Sequence, residues 1–130
     1  MASYRTPLGR ARGLGSAKHG VGAWIAERVT AVALVPLVLW AVFAGLRLAA
    51  TDYYGAVAWL TSSMVNPVLM GLFVIVGFMH MHGGLRVVIE DYITKTFSRT
   101  VLLLLNLFVC ALVGALAVFS ILKVALGGAY

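Results

Sequence analysis

The chain has 130 residues, of which 62% are hydrophobic and 11% charged, a balance that excludes an ordinary water-soluble domain and indicates a membrane protein. At this length it forms one domain, and its apolar content covers about three spans of roughly 20–25 residues, with none left for a separate soluble catalytic module. Ten Lys and Arg against four Asp and Glu give a net charge of +6, which reads as membrane topology and not as nucleic-acid binding. The lone cysteine, Cys110, excludes an internal disulfide and any CxxC motif. It sits inside an apolar run as a small packing group.

Residues 1–24 read as a basic cytoplasmic tail. Arg5, Arg10, Arg12, Lys18 and His19 stand among glycines without an acidic residue before Glu27, a composition that cannot bury itself and predicts loose order. An arginine-rich, acid-free start is also the pattern of a transit peptide, but a retained tail beside anionic headgroups is the expectation here. The glycines of GRARGLG are no phosphate loop, because no strand precedes them and no GK[ST] follows. A first membrane helix is expected over about residues 25–48, opened by Trp24, Glu27 and Arg28 and carrying Pro36, which a membrane helix tolerates with a mild kink. Residues 49–63, with Asp52, Tyr53, Tyr54 and Trp59, read as a short loop or interfacial turn.

A second helix is expected over about residues 64–90, with Asn66-Pro67 at its start and Glu90-Asp91 at its end. The connection that follows carries Lys95 and Arg99, and a third helix over about residues 100–124 is polar only at Asn106, Ser120 and Lys123. Residues 25–130 thus form one all-α, three-helix transmembrane domain. Loop charge puts the amino terminus and the second connection in the cytoplasm. Nothing suggests an internal or inverted repeat. Three helices are too few to enclose a pathway, so a partner is expected.

The informative segment is GFMHMHGGLRVVIEDY, Gly77 to Tyr92, in which two histidines lie deep inside an apolar span. An ionisable residue there is a functional candidate, and a neutral imidazole still needs partners for its ring nitrogens. On a helix Gly84 falls about 40° from His80, and Gly77 and Gly83 about 60° to either side, so the surroundings of His80 are cleared of side chains. Two readings stand open: close helix packing on small residues, or a flat macrocycle held edge-on with the histidine as an axial metal ligand. His82 projects about 200° from His80 and cannot share its ligand direction. It is expected to form a hydrogen bond or to face a partner.

Asp91 returns to within about 20° of the His80 face, roughly 17 Å along the axis, and Tyr92 follows at the membrane boundary. A phenol and a carboxylate there suit a lipid-soluble carbonyl compound such as a quinone, but equally an interfacial tyrosine and a helix-ending acid. Arg28 is placed to neutralise a carboxylate such as a heme propionate, to pair with Glu27, or to reach the headgroups. Arg86 lies four residues from both His82 and Glu90 and shares that ambiguity.

Together these residues resemble a known family. The chain resembles the smaller hydrophobic membrane anchor subunits of bacterial succinate dehydrogenase, respiratory complex II. The likeness rests on Gly15-Ser16-Ala17, on Glu27-Arg28-Val29-Thr30-Ala31 followed by LVPLVLW, and on the pattern H-x3-G-x6-DY formed by His80, Gly84, Asp91 and Tyr92. It implies half of a heterodimeric helix bundle in a bacterial inner membrane, or a mitochondrial one in a eukaryote, without catalytic activity of its own. It further implies that His80 is one axial ligand of a heme b, the other coming from a second, cytochrome b anchor subunit, and that Arg28 lies near the propionates. Tyr92 would hydrogen-bond ubiquinone and Asp91 would support that site. The implied soluble partners are a flavoprotein that oxidises succinate, within the tricarboxylic acid cycle, and an iron–sulfur subunit that passes the electrons on. Two rival readings keep the three helices: a heme-free anchor of a fumarate-reductase-like complex, and a transporter subunit with His80, His82 and Arg86 as a relay.

Overall fold

The computed structural model of the chain describes residues 6–13 and 20–127; Arg5, Lys18, His19 and the Gly15-Ser16-Ala17 motif lie outside them. Within the basic tail, Pro7–Ala11 forms a single helical turn, α1, where loose order was expected. Its start is conventional: Pro7 opens the turn and the Thr6 hydroxyl accepts from the Gly9 amide at 3.1 Å.

The first long helix, α2, spans Val21–Ala49 and begins four residues before the predicted start. Gly20 has a φ of 118°, open to glycine at little cost, and this lets the chain turn straight into the helix. Its 29 residues measure roughly 43 Å at 1.5 Å per residue, well over the ~30 Å of hydrocarbon, so the helix is longer than a bilayer span needs. The helix continues through Pro36.

The stretch expected as a loop or interfacial turn is instead mostly a helix, α3, Tyr53–Thr61. Asp52 caps it, its carboxylate accepting from the Gly55 amide at 2.8 Å. The Trp59 ring stacks on Trp40 of α2, 6.2 Å between centroids, and Asn66 donates to the Trp59 carbonyl at 2.8 Å. These contacts tie the α3 end to two long helices.

The second long helix, α4, covers Val65–Tyr92, and the third, α5, covers Thr96–Ala125. The connection between them shrinks to residues 93–95, against the eleven-residue segment from Glu90 to Thr100 read from sequence. An Arg86–Glu90 ion pair at 2.8 Å spans one turn and helps carry α4 to Tyr92. Such a pair contributes only ~0.2–0.5 kcal/mol, enough to shift a fraying end but not to make a helix.

Helix α4 lies in the middle, with α2 and α5 packed along it. Three helices side by side leave most of each surface bare. Among the described residues, only Thr30, Ala44, Leu60, Asn106 and Cys110 are buried. Exposed Val, Leu and Phe side chains along all three helices suit lipid and partner helices, not water. All three long helices are apolar enough to cross a bilayer.

Small residues and one amide hold the seams. At Gly114 of α5 an added Cβ would come 3.3 Å from the Phe78 ring of α4, so the glycine makes room for the ring. Above it, the buried Asn106 donates its amide to the His82 carbonyl at 3.0 Å and accepts at Oδ1 from the Cys110 thiol at 3.3 Å. A polar group this deep is costly without partners, and Asn106 has them across the α4–α5 seam.

Candidate functional site

Both histidines of α4 are engaged through Nδ1, and by chemically opposite partners. The Thr30 hydroxyl of α2 lies 3.1 Å from His80 Nδ1, and also within reach of the Ala26 carbonyl at 2.8 Å and the Glu27 carbonyl at 3.1 Å. A hydroxyl has one proton and carbonyls only accept. That proton is directed to the threonine's own helix, at its shortest contact, which leaves the oxygen to accept Nδ1–H from His80. The imidazole is thereby the Nδ1–H tautomer, and its Nε2 lone pair makes no hydrogen bond among the described residues.

The reverse holds at His82. Asn106 Nδ2 lies 3.0 Å from the His82 carbonyl and 3.1 Å from His82 Nδ1. Because the carbonyl can only accept, the atom facing it must be the amide nitrogen, and the same NH2 group donates to Nδ1. His82 therefore carries its proton on Nε2. It is a hydrogen-bonding residue, as its direction on the helix suggested.

The three glycines around His80 separate in the same way. A Cβ on Gly83 would run into the Glu27 carboxyl of α2, whereas one on Gly77 or Gly84 would meet nothing within 4 Å. Gly83 serves close packing of α2 on α4. Gly77 and Gly84 face open space beside His80, clear for something outside this chain. A metal-bound imidazole needs a free nitrogen lone pair and a hydrogen bond on the other nitrogen, and a heme needs clearance next to it. His80 meets both requirements and His82 does not, so the residues present fit a heme ligated through His80.

Other predicted residues are spread out. Asp91 and Tyr92 close α4, both exposed and free of ion pairs among the described residues, with Tyr92 79% exposed. The Arg28 guanidinium sits over the Trp24 ring, 5.1 Å from its centroid, and not on Glu27; a cation–π contact of this kind contributes ~0.5–1 kcal/mol where exposed. Arg28 lines a cleft of about 670 Å³ between the first half of α2 and the last half of α4, shared with Trp24, Glu27, His82 and Arg86. One Glu27 carboxyl oxygen is buried there without a hydrogen bond among the described residues. His80, Asp91 and Tyr92 are not in that cleft. Residue-level reading undervalued Thr30 and Asn106; the signal was a polar residue within each flanking apolar run.

Fold and site together define a class: a multi-pass helical membrane protein with a histidine of its middle helix hydrogen-bonded to a neighbouring helix. Residues 2–122 match the family model of the succinate dehydrogenase/fumarate reductase transmembrane subunit. The chain is 31% identical over 121 residues to the succinate dehydrogenase hydrophobic membrane anchor subunit of Rickettsia bellii (strain RML369-C), covering 93% of this chain and 88% of that one. It is 32% identical over 130 residues to the subunit of the same name from Paracoccus denitrificans, covering 95% of each. No solved structure matches the chain. The chain belongs to the succinate dehydrogenase/fumarate reductase transmembrane subunit family, and within it groups with the hydrophobic membrane anchor subunits of succinate dehydrogenase.

Proposed function

We propose that the chain is one of two membrane anchors of a succinate:ubiquinone oxidoreductase in the bacterial inner membrane, with its amino terminus in the cytoplasm. His80 supplies one axial nitrogen to a heme b, and a histidine of the second, cytochrome b anchor subunit supplies the other. Arg28 holds a heme propionate through a charge-assisted hydrogen bond. When bound, the heme supplies one-electron redox chemistry. The soluble partners are a flavoprotein that oxidises succinate in the tricarboxylic acid cycle and an iron–sulfur subunit that delivers its electrons to ubiquinone.

The observation that carries this reading is the state of His80: Nδ1 engaged by Thr30, Nε2 free, and open space at the neighbouring Gly77 and Gly84. The family supports the partners. The complex purified with this chain and reduced with dithionite is expected to show b-type heme absorption bands. A complex of full subunit composition without those bands would sink the reading.

At the end of α4 the Tyr92 phenol donates a hydrogen bond to a quinone carbonyl, and Asp91 helps hold the site and handle protons. Tyr92→Phe removes one neutral donor, a loss of about 0.5–1.5 kcal/mol, so quinone reduction is expected to slow about 2- to 12-fold. Heme content and succinate oxidation with a soluble dye are expected to stay at the level of the unaltered complex. Unchanged quinone kinetics would remove Tyr92 from the site.

A further inference from the structure

Thr30 is buried in the first half of α2, 9% exposed, and its hydroxyl is fixed twice over. Toward its own helix its one proton goes to the Ala26 carbonyl at 2.8 Å, with the Glu27 carbonyl 3.1 Å away, a back-bond that locks a β-branched side chain with few rotamers to begin with. Toward α4 it accepts from His80 Nδ1. The acceptor is therefore rigid before the imidazole meets it. In a low-dielectric interior such a bond is stronger than in water and costly to break, so the ring cannot turn freely about its own axis.

We propose that Thr30 is the positioning residue of the axial histidine: it fixes the ring and tautomer of His80 and raises the electron-donor strength of Nε2 toward the heme iron. This rests on His80 being the ligand. A hydrogen bond that pulls on Nδ1–H leaves more electron density at Nε2, and a more basic ligand favours the ferric over the ferrous ion. Asn106 does the opposite for His82, two residues away, by donating to Nδ1 and leaving the proton on Nε2. Two histidines in one helical turn are thus sorted by an acceptor on α2 and a donor on α5.

The test is made on the assembled complex, with Thr30→Val, Thr30→Ala and Thr30→Ser compared by redox titration of the heme and by transfer of heme to excess apomyoglobin. Valine keeps the shape and loses the hydroxyl; serine keeps the hydroxyl. Thr30→Val is expected to retain b-type bands with a raised midpoint potential, the ferrous-to-ferric ratio at the unaltered complex's midpoint rising about 2- to 12-fold. Its heme is expected to be held about 10- to 100-fold less tightly, as for other outer-shell losses. Thr30→Ser is expected to restore both. Thr30→Ala, which lacks the hydroxyl and adds no atoms, gives the same readout if the valine complex does not assemble. An unaltered potential and heme retention in the hydroxyl-free variants, or serine behaving like valine, overturns the role of Thr30 and leaves the heme reading standing. An unaltered complex without b-type heme overturns both.

Discussion

Purified His80→Ala complex is expected to lack b-type heme, whereas His82→Ala complex retains it. The two residues are a stringent pair, since they share a helix, a depth and a side chain, and differ in what their ring nitrogens are doing. His80 donates from Nδ1 to Thr30, so Nε2 is a lone pair ready for a metal. His82 accepts at Nδ1 from Asn106, so Nε2 carries a proton that would have to leave first. On the proposed reading, removing His80 takes away one of the two heme ligands, and among the described residues no cluster of three or more His, Cys, Asp or Glu exists to take its place. Removing His82 costs one of the two bonds from the Asn106 amide, while the bond to the His82 carbonyl survives. Interhelical hydrogen bonds in membranes average about 0.6 kcal/mol and reach about 1.7, so His82→Ala is expected to lower thermal stability slightly and leave the reduced-minus-oxidised spectrum intact. Full heme in His80→Ala would overturn the assignment, and a swapped result would transfer it to His82.

What the sequence made legible follows from what a bilayer demands. A membrane span declares itself by length and apolarity alone, so all three long helices could be read, and only their ends moved. Those ends depend on weak local groups: Gly20 before α2, the Arg86–Glu90 pair at the end of α4. The helix α3 was missed because nine residues with two tyrosines and a tryptophan look like interface whatever their backbone does; its cue was Asp52 three residues before Gly55. Partner choice was out of reach for a different reason. Helices that are apolar all round carry no stripe that says which face meets which neighbour. Spacing could place Gly77, Gly83 and Gly84 near His80 but could not tell that only Gly83 meets another helix. Likewise Thr30 and Asn106 are polar residues within apolar runs, and only the three-dimensional packing pairs one with each histidine.

Gly83→Leu is expected to be the most damaging substitution in the α2–α4 seam, while Gly83→Ala is nearly silent. Two contacts set the register of these antiparallel helices, Glu27 against Gly83 and Thr30 against His80, one turn apart and running in opposite chain directions. An alanine Cβ would collide with the Glu27 carboxyl, but that carboxyl ends a flexible side chain beside a cleft of about 670 Å³ and can swing aside. A leucine reaches further than a swung carboxyl can clear. The backbone of α2 must then move out, and overpacking of this kind costs about 1–3 kcal/mol. The displacement also draws Thr30 off His80 one turn along, so the loss should appear as lower thermal half-life of the assembled complex together with reduced heme content. Adding Glu27→Ala to Gly83→Leu should restore part of both, because the methyl group left at position 27 frees space that leucine can enter. Gly83→Leu complex with unaltered half-life and heme content would show that α2 and α4 are not held in register at this contact.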